Sequence, residues 1–125
     1  MSLRDPRILN RSLDELQRKV LDELARTLKR RYGDELVRLS VFGSRARGDA
    51  DSQSDIDLLV VLDIDAEREA AETEAVWSAV GDARRLAPRA WVPLSPLVLS
   101  LPRYLELSRL GRRIAVDAER EGIPL

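Results

Sequence analysis

Apolar residues near the start of the chain recur at helical spacing. Leu13, Leu16, Val20, Leu24 and Leu28 form one stripe, and Leu21 widens it. Ser12-Leu13-Asp14-Glu15 has the form of a capping box, Lys29, Arg30 and Arg31 suit the negative end of a helix dipole, and Gly33 can end the helix. The pattern predicts an amphipathic helix over 12–32. The period then changes to two. Val37, Leu39 and Val41 alternate with Leu36, Arg38, Ser40 and Phe42, which predicts a strand over 36–42. A second strand is expected over 55–62, apolar on both faces as a covered central strand would be.

Farther along the pattern is weaker. A helix over 66–86 has a thin apolar side of Ala70, Thr73, Trp77 and Val80, with Val76 and Ala83 nearby, and Ala87-Pro88 ends it. Residues 90–100 read as a third strand. Pro93 and Pro96 assign it to a sheet edge or a bulge, because proline cannot donate to a ladder. Ser100 can cap a helix starting near Pro102, with Tyr104, Leu105, Leu107 and Leu110 apolar. Gly111 allows a break, Ile114–Glu121 continues as helix, and Gly122 stops it. This order gives an α/β (α+β) fold with a short mixed sheet backed by helices. The 125 residues are expected to form a single domain, 1–125. Its parts are an N-terminal helix over 12–32, a core over 36–62, and a C-terminal strand and helices over 90–121.

Composition narrows the chemistry. With 21 basic and 22 acidic residues, net charge exerts no general pull toward nucleic acid, and any basic site must be local. The absence of cysteine excludes disulfides and thiolate metal sites. The absence of histidine excludes zinc–histidine sites and the usual near-neutral general base. Catalysis must then run on carboxylates, hydroxyls, backbone amides and arginines. No signal peptide is visible and no apolar run approaches the roughly 20 residues that span a bilayer. A soluble, cytoplasmic protein without a membrane segment is the expectation.

The chemistry converges on Val41–Leu62, VFGSRARGDADSQSDIDLLVVL. Asp55 and Asp57 stand two apart at a strand start, so both side chains point to one side, about 6–7 Å apart. A divalent cation between them would relieve their repulsion, and hard oxygen ligands favour Mg²⁺ or Mn²⁺. Hydrated carboxylates at a strand end are the alternative. Gly43 and Gly48 permit positive φ, Ser44 adds a hydroxyl beside exposed amides, and Arg45 and Arg47 can fork onto phosphate oxygens. An ordinary glycine-bounded connector is the alternative there. The combination is more specific: a strand, a Gly-Ser turn, ten intervening residues, and Asp-x-Asp entering a second strand. Such a chain can hold a triphosphate on the turn with its α-phosphate facing metal-bearing carboxylates, as metal-assisted nucleotidyl transfer requires.

Phe42-Gly43-Ser44-Arg45-Ala46-Arg47-Gly48 with Ser54-Asp55-Ile56-Asp57-Leu58 resembles the signature of the polymerase β-type nucleotidyltransferases. The short chain, and its ending in Glu121-Gly122-Ile123-Pro124-Leu125, is similar to the minimal nucleotidyltransferases of bacteria and archaea. The resemblance implies a polymerase β-like fold and transfer of AMP from ATP to a hydroxyl acceptor. By it, Gly43 and Ser44 hold the triphosphate, Asp55 and Asp57 bind Mg²⁺, and Arg47 contacts phosphate. Many members carry a third acidic residue on the strand after the intervening helix. Here that strand, Trp91–Val98, contains none, and Ser95 is the candidate for its place, with Asp49 or Asp51 as carboxylates to borrow.

The resemblance also implies a partner, since minimal members are often paired with a HEPN-type helical protein as the antitoxin of a toxin–antitoxin system. Three readings stay open: an enzyme, a module that neutralises its partner by direct binding, and an antibiotic-modifying transferase completed by a homo-oligomer. Trp77, Trp91 and Tyr104 are expected in the core, with a contact surface as the alternative.

Overall fold

A computed structural model describes residues 7–48 and 54–125. The chain is a small α/β molecule. Helices α1 (Arg7–Ser12) and α2 (Glu15–Tyr32) lead into strand β1 (Leu36–Phe42). One helical turn, α3 (Ser44–Arg47), follows, then β2 (Ile56–Leu62) and α4 (Glu69–Arg84). Strand β3 (Leu94–Ser100), α5 (Leu101–Arg109), α6 (Arg113–Glu121) and the two-residue β4 (Ile123–Pro124) complete it. The sheet is mixed, in the order β3-β2-β1-β4, with β2 parallel to β3 and antiparallel to β1. Among the described residues, no helix is long and apolar enough to cross a membrane.

Strand β2 is the axis of the molecule because its two faces feed two cores. Ile56, Leu58, Val60 and Leu62 pack into a cluster with Val20, Leu21, Leu24 and Leu28 of α2 and Val76, Val80 and Ala83 of α4. Leu59 and Val61 alternate into a second cluster with Leu99, Tyr104, Ala115 and Ala118, beneath α5 and α6. Each fully buried Leu or Val side chain contributes about 1.5–3 kcal/mol. Strand β3 lies at a sheet edge, a position where a proline such as Pro96 is tolerated because only one side of the strand is paired.

The fold corrects several boundaries. The first long helix begins at Glu15 rather than at position 12, and its cap is Asp14. The Asp14 carboxylate accepts from the Gln17 amide at 2.7 Å, and the Gln17 side chain accepts from the Asp14 amide at 3.2 Å. Ser12 instead closes α1, its hydroxyl placed between the carbonyls of Ile8 and Arg45. The cap therefore moved because the serine was already engaged in an unforeseen preceding helix. Leu16 is 49% exposed while Leu13, Val20 and Leu24 are buried, so the stripe is narrower than its spacing suggests.

Helix α4 turns a different side inward: Val76, Ala79, Val80 and Ala83 are buried, and Ala70 and Trp77 are exposed. The third strand starts at Leu94, after Pro93, rather than at 90. In α5 only Tyr104 is buried; Leu105, and Leu110 at the helix's C-cap, are exposed. The C-terminal Ile123 and Pro124 pair with Val41 and Ser40, a contact no local pattern announces.

Replacing Asp14 by alanine should cost about 1 kcal/mol of stability, the usual worth of a helix N-cap. Urea unfolding monitored by circular dichroism would measure it. A cost near zero would place the functional cap elsewhere.

Candidate active site

The two ends of the suspect stretch meet at the start of β2. Phe42 pairs with Asp57 across the antiparallel β1–β2 ladder, so the chain leaving β1 turns directly beside that carboxylate. Gly43 makes the turn at φ +74°, and a Cβ there would stand 2.6 Å from Asp57 Oδ2. Both the left-handed backbone and the close approach require glycine. The turn continues into α3, where the Arg47 amide donates to the Gly43 carbonyl at 3.1 Å. Of Ser44 the backbone opens α3; its side chain lies outside the described residues, as do Asp49 and Asp51.

Asp57 is half-buried and Asp55 exposed. Burial pushes the Asp57 carboxyl above the ordinary carboxylate range, the neighbouring Asp55 charge pushes it further, and Arg47 opposes both. A like-charged, partly desolvated carboxylate pair is a donor set that suits a hard divalent cation. Parallel pairing sets Ser95 of β3 opposite Asp57 on the other side. Along the sheet the order is thus the Gly43 turn, the two carboxylates, then Ser95. Among the described residues no cluster of three acidic, histidine or cysteine side chains stands together.

The two arginines of the turn have separated. Arg47 is exposed, with Nη1 3.2 Å from Glu121 Oε2 on α6. Arg45 is 1% exposed, and the expectation that it forks onto phosphate is overturned. Its guanidinium donates to the Ser54 carbonyl (Nη2, 2.8 Å; Nε, 3.2 Å), to the Ser12 carbonyl, and to Gln17 Oε1 at 3.3 Å. Gln17 Nε2 in turn donates to the Trp91 carbonyl at 2.8 Å. Arg45 therefore holds the residue before Asp55, and Gln17 links it to the segment before β3. This network escaped the sequence reading. Its one visible sign was Gln17, a polar residue in phase with the stripe Leu13, Val20 and Leu24.

The expectation that the tryptophans are core is also overturned. Trp77 and Trp91 are 45% and 57% exposed, and only Tyr104 is buried. Both line a cavity of about 540 Å³ that includes Asp55 and Ser95.

A nucleotidyltransferase domain model matches residues 21–114, most of the chain. The chain belongs to the nucleotidyltransferase domain family. Members of this family generally use a nucleoside triphosphate and a divalent metal. Two proteins of Methanocaldococcus jannaschii that bear the name "putative protein adenylyltransferase" are similar to it. One is 42% identical over 48 residues, 38% of this chain and 33% of that protein. The other is 41% identical over 49 residues, 39% of this chain and 49% of that protein. The matches thus span a third to a half of those relatives' lengths.

Two measurements probe the site's physics. Folding raises the Asp57 proton affinity, so ionising Asp57 costs stability. The cost is absent below the ordinary value of 3.8 and grows as pH rises through that range toward the raised value. Without divalent ions, Asp57→Asn should therefore melt above the parent at pH 7, the gap closing below about pH 4. Equal melting at both pH values would contradict the burial described. Arg45→Met strands partly buried carbonyls whose bonds to a charged donor are worth about 1.5–3 kcal/mol each. A loss of roughly 3 kcal/mol or more in denaturant unfolding is expected.

Proposed function

We propose that this protein transfers AMP from ATP to a hydroxyl acceptor. The observation that carries the proposal is the Gly43 turn packed against Asp57, with Asp55 two residues before it. Gly43 and Ser44 present the turn amides to the β- and γ-phosphates, as backbone nests do for anions. Arg47 faces the same end of β2 and adds positive charge to the phosphates. Asp55 and Asp57 would hold Mg²⁺, or Mn²⁺, whose chemistry is to neutralise phosphate charge and activate the attacking hydroxyl. The acceptor oxygen forms a bond to the α-phosphorus, the bond to the β-phosphate oxygen breaks, and pyrophosphate leaves. The acceptor's proton passes to solvent. Arg45 holds Ser54, and so the carboxylates, in register with the turn.

Labelled ATP incubated with Mg²⁺ and candidate acceptors, including a HEPN-type protein, tests this reading. Asp57→Asn should cut incorporation by roughly a hundredfold or more, since the ion supplies several kcal/mol to the transition state. Labelling equal to the parent would refute the metal role.

A second reading is favoured by Ser95, which stands beside Asp57 where a third carboxylate would serve as base. On it the protein is the cytoplasmic antitoxin of a pair and neutralises a HEPN-type helical partner by contact, with nucleotide binding retained. Neutralisation and co-purification that survive Asp55→Ala with Asp57→Ala would select it over catalysis.

A further inference from the structure

We infer that Glu121, the last residue of α6, is a positioning residue: it acts through Arg47, holding that guanidinium where it meets the triphosphate. This rests on the adenylyl-transfer reading and extends its machinery to α6 and β4.

Strand β4 fixes where Glu121 stands. Ile123 is fully buried and pairs with Val41, two residues before Gly43. The Leu125 amide donates to the Leu39 carbonyl at 3.0 Å and continues the ladder. The join between α6 and β4 is close. The Gly122 amide donates to the Ala118 carbonyl at 3.0 Å, and a Cβ on Gly122 would collide with that same oxygen. Only glycine fits, so α6 passes into β4 within one residue, and the side chain before it is delivered to the Gly43 turn.

The carboxylate there meets Arg47. Arg47 Nη1 lies 3.2 Å from Glu121 Oε2, and the side chains are 41% and 22% exposed, so the pair is partly withdrawn from water. The other half is fixed as well, because the Arg47 amide donates to the carbonyl of Gly43, the residue packed against Asp57. Both members are therefore placed by main-chain contacts around one turn. The C-terminal carbonyls of α6 add partial negative charge beside the same cation. Burial and Asp55 raise the Asp57 carboxyl and the Arg47 charge pulls it back, so the guanidinium's field reaches the start of β2.

Such a support has two uses for phosphate binding. A long side chain that must be ordered when an anion arrives subtracts that ordering cost from affinity, and a standing ion pair meets the cost beforehand. The pair also draws the guanidinium toward α6, which leaves the Asp57 carboxylate to the cation. Glu121 is itself anchored by a buried ladder residue and a glycine that admits no side chain. It is a fixed support rather than a mobile rival of the phosphates.

Calorimetric titration of the full-length protein with α,β-methylene ATP and Mg²⁺ tests this, with AMP as the ligand lacking the outer phosphates. Arg47→Ala should weaken the triphosphate analogue by about tenfold or more, the scale of a charge-assisted bond. Glu121→Gln should weaken it by about three- to fivefold, the upper scale of a partly exposed ion pair, and leave AMP unchanged. Removing a negative charge by itself would favour the anion, so the sign separates positioning from net charge. In the Arg47→Ala background, Glu121→Gln should cause no further loss, because its effect passes through the arginine. Equal loss in both backgrounds would make Glu121 a packing residue of the α6–β4 join and overturn the proposal. Unchanged or tighter binding by Glu121→Gln, with Arg47→Ala weakened, would overturn it too. An Arg47→Ala variant that binds like the parent, or a parent that does not bind the analogue, would instead sink the phosphate site of the adenylyl-transfer reading, and this role with it.

Discussion

The end of the sheet where the chemistry is proposed depends on one buried cation. A guanidinium taken from water survives only when its donors are met, and Arg45 meets them with main-chain carbonyls of Ser12 and Ser54 and the side chain of Gln17. Those groups belong to the α1–α2 junction, the approach to β2 and the face of α2. Groups nine to 33 residues away in sequence are thereby fixed to the short helix that follows the glycine turn. Through Gln17 the same network reaches Trp91, so the turn, the carboxylates and the cavity wall share a single polar scaffold.

Around that scaffold the packing is simple. Strand β2 presents apolar side chains to both faces, and Asp57 is its one partly exposed residue. Its carboxylate lies where the second cluster gives way to the turn, and its raised proton affinity reports the cost of keeping a charge there. Sites commonly carry such local costs, set against the stability of the surrounding core. Here the two clusters on either side of β2 offset it.

Much of this was readable from residue order. The α2 stripe, the doubly apolar β2, the edge position of a proline-bearing β3 and the cap at Ser100 follow from period and side-chain chemistry, and the structure has them. So does the approach of the Gly43 turn to Asp57, since a strand, a turn and a returning strand leave little choice. Where several positions on one helix are equally apolar, sequence spacing did not choose well. Leu16, Trp77 and Leu105 fit their stripes and face outward, because burial depends on what the opposing surface provides.

Arg45 and Arg47 make the division plain. They lie two apart in one turn and have the same chemistry, so the sequence determined that two cations accompany the Gly-Ser turn and the Asp-x-Asp strand. Only the tertiary structure decided that one is buried scaffold and the other an exposed charge near the carboxylates, because a side chain's role follows from acceptors outside its own turn, here nine to 33 residues away. The same holds for Ser12, drawn from capping α2 into closing α1, and for the tryptophans, which local pattern placed inside. Periodicity specifies elements and their inward faces; the partners that buried polar groups find exist only once those elements are packed.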